Sequence, residues 1–190
     1  MGLLVKQRAK AHYDIGTRIL TKPSSQKILQ KAIRQLQKAT ELDPSFAYAF
    51  HNLAHAWYKL AEHYYSTFSS NYQFKNMKEY EKYIEDAVEK GNNDKIERAR
   101  AQYLKEHEKD GLIDVCFLKA LVEVDRALEI QYDFPQAHNI RAMILAKQGR
   151  LDEAFEATRV ALLQAPDYRN ASENRDKIKE LIQKRAAIPD

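Results

Sequence analysis

Apolar side chains recur along this chain at helical spacing, in segments of roughly 13–22 residues separated by short polar breaks. Ile28, Ala32, Leu36 and Ala39 make one stripe. Tyr80, Tyr83, Ile84, Ala87 and Val88 make a second, and Leu121, Val124, Ala127 and Leu128 a third. Pro23-Ser24-Ser25, Asp43-Pro44-Ser45, Gly91-Asn92-Asn93, Asp110-Gly111, Asp133-Phe134-Pro135, Gly149-Arg150 and Ala165-Pro166-Asp167 interrupt the pattern, as does the Ser, Thr and Asn cluster over 66–71. The pattern predicts nine helices, near 3–21, 24–42, 46–67, 75–90, 93–109, 112–131, 136–148, 151–164 and 167–185. Connections this short place neighbours antiparallel, as a stack of helical hairpins.

Composition supports the same all-α reading. Five Gly and five Pro in 190 residues are too few for a strand-rich fold, whose turns come every 8–12 residues. With 44% apolar and 31% charged residues the chain has material for one hydrophobic core and is neither a disordered nor a membrane-embedded sequence. No apolar run approaches the ~18 residues of a membrane span.

The net charge of +4 conceals a strong asymmetry. Residues 1–38 carry nine Lys or Arg against Asp14 alone, whereas residues 39–168 carry 16 basic and 22 acidic residues. The lone Cys116 lies in the apolar run Val115-Cys116-Phe117-Leu118 and reads as a small buried residue, so no disulfide framework is expected. Leu3-Leu4-Val5 is followed at once by Lys6, Arg8 and Lys10, unlike a secretory leader, and Lys6 stands where a myristoylation motif wants Ser or Thr. A reducing, cytoplasmic location is the expectation.

Ala39, Ala87, Ala127 and Ala161 each sit four to eight residues before a break, at spacings of 48, 40 and 34. In the unit Pro135–Tyr168, Ala142 lies in the first helix, Gly149-Arg150-Leu151-Asp152-Glu153-Ala154 makes the inter-helix turn, and Ala161-Leu162 and Pro166 follow. Phe50, Leu53, Ala54 and Trp57 give a large–large–small–aromatic pattern earlier in the chain. On these residues the chain resembles the tetratricopeptide repeat (TPR) family, His138 standing where that family has a large aromatic. The resemblance implies a TPR-like solenoid of about four repeats, near 3–44, 45–92, 93–134 and 135–168, and a capping helix over 169–187.

What the resemblance implies about function concerns the first helix of each repeat, which lines a concave surface that holds peptides or partner helices. In that register stand Tyr48, His51, Asn52, His55, Tyr58 and Lys59, then Gln136, Asn139, Met143 and Lys147. Aromatic rings offer contact area at low entropy cost, and the two lysines suggest a partner with acidic character. The family's carboxylate clamp for chaperone tails is incomplete. Asn52 fits its middle position, but Thr17, Thr21, Gln102 and Glu106 occupy the others.

No Gly-rich phosphate loop, Gly-x-Ser-x-Gly elbow or dictated Cys–His pair is present, so no enzyme, cofactor or catalytic residue is expected. His51 and His55 share a helix face with Glu62 about 20° away, but Asn52 replaces the Glu of the zincin motif, so a surface His pair rather than a metal site is expected. The stretch 63–74 holds five aromatic residues, expected to lengthen a hairpin by packing on Tyr80, Tyr83 and Ile84. The leading reading is a non-catalytic scaffold for a protein or peptide. Beside it stand nucleic-acid binding through the basic amino-terminal helices, whose charges read as spread around the helix surfaces, and self-assembly into a homo-oligomer.

Overall fold

The computed structural model describes residues 2–23, 25–69 and 77–186, and the described residues form eight helices and no strand. In chain order they are α1 (Leu3–Leu20), α2 (Gln26–Leu42), α3 (Ala47–Ser69), α4 (Met77–Glu89), α5 (Asn93–Ile130), α6 (Pro135–Lys147), α7 (Leu151–Gln164) and α8 (Arg169–Ala186). The all-α solenoid of antiparallel hairpins closed by a carboxy-terminal helix is therefore what this sequence folds into.

Local chemistry fixes the joints. Ser25 accepts a hydrogen bond from the Ile28 amide and Asn92 from the Lys95 amide, so α2 and α5 begin on side-chain caps. Gly91 (φ 62°) and Gly149 (φ 74°) take the left-handed conformation that closes α4 and α6. There the Asn92 amide returns to the Ala87 carbonyl and the Arg150 amide to the Leu145 carbonyl, both at 3.0 Å. Asp152 and Glu153 occupy the first turn of α7, where their charge complements the helix dipole.

One expected joint is absent. Gly111 lies inside α5, which runs without a break for 38 residues where helices over 93–109 and 112–131 were expected. A glycine in a helix interior costs only about 1 kcal/mol relative to alanine. Burial of Ile113, Cys116, Phe117, Ala120 and Val124 along the same helix outweighs that cost.

The long helix changes which elements pair. At about 1.5 Å per residue α5 is roughly 57 Å long, against roughly 35 Å for α3. The carboxy-terminal half of α5, not α4, lies antiparallel to α3. Tyr48 meets Phe134 at one end (4.8 Å between ring centroids), and Tyr58 meets Phe117 further along (6.0 Å). The amino-terminal half of α5 pairs instead with α4, through Asp86–Lys95 (3.1 Å) and the Lys95 ammonium over the Tyr83 ring (4.2 Å). The aromatic stretch follows the same division. Tyr64 and Phe68 stack at 5.3 Å and pack on the main core, while residues 70–74 lie outside the described residues.

The core runs from Leu29, Ala32, Ile33 and Leu36 of α2 through Leu53, Ala54, Leu60 and Ala61 of α3 to Phe117, Ala120 and Val124 of α5, and on to Ile140 and Ile144 of α6. A second cluster of Ala142, Leu145, Ala154, Ala157 and Ile178 joins α6, α7 and α8. Alanine at the helix crossings lets backbones approach closely. Gly16 does so more sharply, since a β-carbon there would stand 2.6 Å from Leu36 Cγ.

Candidate functional site

The helices α1, α3, α6 and α8 touch one another in that order and form one continuous inner row. A cavity of about 360 Å³ opens on this row, lined by His51 and His55 of α3, Gln136, Asn139, Ile140 and Met143 of α6, and Tyr168, Asn170, Glu173 and Asn174 around the start of α8. Its size suits a small ligand or a few residues of a peptide. Seven of the ten residues singled out in the sequence (His51, His55, Tyr58, Gln136, Asn139, Met143 and Lys147) lie on this cavity or on the adjoining one bounded by Tyr58, Met143, Lys147, Lys177, Ile178 and Leu181. Lys147 itself belongs to the second cavity.

Phe134, buried at the amino-terminal edge of α6, is the anchor of the α3 end. Its ring meets both Tyr48 and His51 at 4.8 Å. Tyr48 nevertheless keeps half its surface exposed. Tyr58 does not. Its side chain is buried against Phe117, and burial together with the nearby Glu62 carboxylate holds the phenol protonated well above its usual range. Only the edge of Tyr58 reaches the groove, so it serves the core more than a partner.

The two lysines expected to face a partner are both engaged within the chain. Lys59 donates to the Leu20 carbonyl at 3.2 Å, tying α3 to the end of α1. Lys147 pairs with Glu62 at 2.8 Å and lies 5.7 Å from the Tyr65 ring centroid. Both cations are used to join helices, and no Lys or Arg lines the 360 Å³ cavity. The amides are engaged in the same way. Asn52 Nδ2 donates to Thr17 Oγ1, and Asn174 Nδ2 donates to Asn139 Oδ1, each at 2.9 Å. The register position that a carboxylate clamp would use is thus satisfied inside the inner row.

His51 and His55 are neutral. Burial pushes each imidazole down to about 4, with smaller contributions from the repulsion that a protonated His55 would exert on His51 and from the Lys59 ammonium on His55. His51 Nδ1 is buried without a hydrogen-bond partner. Among the described residues no group of three His, Cys, Asp or Glu side chains is placed to hold a metal ion, and Glu62 is held by Lys147. Cys116 is buried and its thiol is pushed up by burial. His138, at the register of a family aromatic, is buried with its Nε2 3.0 Å from the Tyr132 carbonyl.

The basic amino-terminal charges are more ordered than the sequence suggested. Lys27, Lys31, Arg34 and Lys38 of α2 are all exposed at spacings of 4, 3 and 4 residues, on one stripe rather than around the helix. None has an ion-pair partner among the described residues. No helix among them is long and apolar enough to cross a membrane.

Comparison with known proteins bears on the fold. The family model described as TPR repeat matches residues 25–61, which span α2 and most of α3 rather than the hairpin of α6 and α7 whose motifs read most clearly. No curated protein sequence matches. Among solved structures, the Arabidopsis OM64 TPR domain is 15% identical, with 93% of this chain and 98% of that one covered at a TM-score of 0.60. The first TPR domain of human RPAP3 is 15% identical, covering 96% and 99% at a TM-score of 0.61. A further structure, of the first TPR of Spaghetti (RPAP3) bound to the HSP90 peptide SRMEEVD, is 15% identical and covers 94% and 95% at 0.59. The chain thus carries a TPR-repeat match over residues 25–61 and is similar in fold to TPR domains over nearly its whole length.

Proposed function

We propose that this protein is a non-catalytic interaction module that holds a segment of a partner protein against the inner row of α3, α6 and α8. The observation that carries this reading is the cavity itself. It is a concave site of about 360 Å³ in which imidazole (His51, His55), apolar (Ile140, Met143), aromatic (Tyr168) and amide (Gln136, Asn139, Asn170, Asn174) side chains converge from α3, α6 and the start of α8. Amide side chains both donate and accept, as a peptide backbone does. One neighbour in fold, the first TPR of Spaghetti, is bound to an HSP90 peptide, which supports the reading by analogy of architecture alone. Because no Lys or Arg lines this cavity and Lys59 and Lys147 are engaged, the part of the segment seated in it is uncharged or apolar.

The test is selection of peptides from a displayed random library on the whole chain, followed by anisotropy titration of a selected peptide against Met143→Glu. Binding lost at least ten-fold in the variant, with helicity unchanged, supports the groove. Equal binding by the variant removes it.

A second reading has one observation in its favour, the exposed Lys27–Lys31–Arg34–Lys38 stripe on α2. Four phosphate contacts would make affinity for nucleic acid fall steeply with salt. Filter binding at low salt tests it: no retention, or retention that added salt leaves unchanged, excludes this use of the stripe.

A further inference from the structure

Two cavities open side by side on the inner row, and their order is the same on every helix. The first, about 360 Å³, meets α3 at His51 and His55, α6 from Gln136 to Met143, and α8 from Asn170 to Asn174. The second, about 270 Å³, meets the same helices at Tyr58, from Met143 to Lys147, and from Asn174 to Leu181. Each helix therefore passes the two cavities in the same chain direction, and Met143 and Asn174 stand between them. The step from one to the other is about five residues on each helix, or about 8 Å at 1.5 Å per residue. Alternate side chains of an extended segment share one face and stand about 7 Å apart. A segment lying along the helix axes thus offers one residue to the first cavity and the next but one to the second.

The two cavities differ in chemistry. In the first, Asn139 and Asn174 are tied to each other, whereas Gln136 and Asn170 are exposed and have no side-chain hydrogen bond among the described residues. Their amides both donate and accept, which suits an uncharged polar side chain. The second cavity is walled by Met143, Ala146, Ile178 and Leu181, and Leu181 keeps 45% of its surface open. An aliphatic side chain seated there removes that surface from water.

Charge at the rim of the second cavity adds a further requirement. Lys147 is held by Glu62 at 2.8 Å. The carboxylates one turn to either side of Lys177 are also taken, Glu173 by Arg169 and Glu180 by Lys184, both at 2.7 Å. Its neighbour Asp176 pairs with Arg175 at 3.2 Å. Lys177 is left exposed on the cavity with no ion-pair partner among the described residues.

We infer that the groove selects an extended segment of the form polar–x–aliphatic, in which Asn, Gln, Ser or Thr takes the first cavity and Leu, Ile, Val or Met the second. An Asp or Glu side chain within the next two residues beyond the aliphatic one meets Lys177. This selectivity rests on the groove proposed above and adds the chemistry of what it holds.

Two synthetic peptides blocked at both ends test it, Gly-Ser-Asn-Ala-Leu-Glu-Glu-Ser-Gly and the same sequence reversed, because the cavities fix the order of side chains and not the chain direction. By anisotropy on the whole chain, one of the two should bind at least ten-fold more tightly than its counterpart with Ser in place of Leu, and than its counterpart without the intervening Ala. Leu181→Gln should erase the preference for Leu. Lys177→Glu should weaken binding at least five-fold and turn the preference toward a version carrying Lys-Lys for Glu-Glu, a reversal that a merely structural role would not produce. Both positions are exposed, so far-UV circular dichroism should be unchanged in each variant, and either variant alone decides its part. No binding in either direction, equal affinity for the Leu and Ser peptides, or a charge preference that survives Lys177→Glu overturns the inference. The groove is judged separately. Library-selected peptides lost in Met143→Glu yet indifferent to Leu181→Gln and Lys177→Glu would leave the proposed function standing and remove this selectivity.

Discussion

Asn52 Nδ2 donates to Thr17 Oγ1 at 2.9 Å across 35 residues of sequence, and Asn174 repeats the relationship with Asn139 at the same distance and separation. The inner row is therefore built from helices whose polar side chains are already paired with each other. Removing one member strands the other where water reaches it poorly. Asn174→Ala should cost about 1 kcal/mol through the lost hydrogen bond of the buried Asn139, and Asn52→Ala less, because Thr17 is only partly buried. Urea unfolding of the two variants checks the order.

Phe134 should be the costliest single truncation on this face. It is buried and meets Tyr48 and His51 from one position, so Phe134→Ala should lose about 3–5 kcal/mol. Loss below about 1 kcal/mol in chemical denaturation would mean that the α3 end of the groove is held by something else.

Two glycines inside helices should respond in opposite directions. Gly16→Ala drives a β-carbon against Leu36, itself fully buried, and the overpacking of about 1–3 kcal/mol exceeds the ~1 kcal/mol gained in helix propensity. Gly111→Ala meets nothing and should stabilise by about 0.5–1 kcal/mol. Unfolding midpoints of the pair decide both signs in one experiment, and a stabilising Gly16→Ala would contradict the α1–α2 packing.

Acid should weaken the fold through the histidines. His51 and His55 hold no proton until pH falls to about 4, whereas in the unfolded chain they bind one near 6.5. Between those values the unfolded state binds more protons, so stability falls as pH drops from 6.5 toward 4 and the histidines contribute nothing above that window. At pH 5 the loss should be on the order of 1–2 kcal/mol for each. His55→Gln should flatten the slope, and imidazole resonances followed by NMR should not move between pH 7 and 5.

Much of this was legible in the chain. Gly149, Asp152 and Pro166 marked the α6–α7 hairpin because each imposes a backbone conformation or a cap by itself. The apolar stripe of α2 was equally plain. Gly111 misled because a lone interior glycine weakens a helix without ending it, and what keeps α5 whole is tertiary burial of Phe117 and Val124. The pairing of α3 with distal α5 was hidden for a related reason. Short-range periodicity cannot tell that a neighbour in sequence is bypassed for a helix half a domain away. In the site, register placed His51, His55, Asn139 and Met143 on the groove, but not what they touch. Lys59 and Lys147 looked like free charges because their partners, the Leu20 carbonyl and Glu62, lie on other turns and other helices. The second half of the site, Tyr168, Asn170, Glu173 and Asn174, was read only as a polar cap. The 35-residue interval from Asn139 to Asn174, close to one repeat, is the signal that could have found it.

The groove is tested most directly by the amide hydrogen-exchange footprint of a library-selected peptide on the intact chain. The account predicts slowed exchange along the inner turns of α3, α6 and the start of α8, around His55, Met143 and Asn174, with α2 and α7 unaltered. Protection confined to α2, α7 or the solvent face of α5 would contradict it.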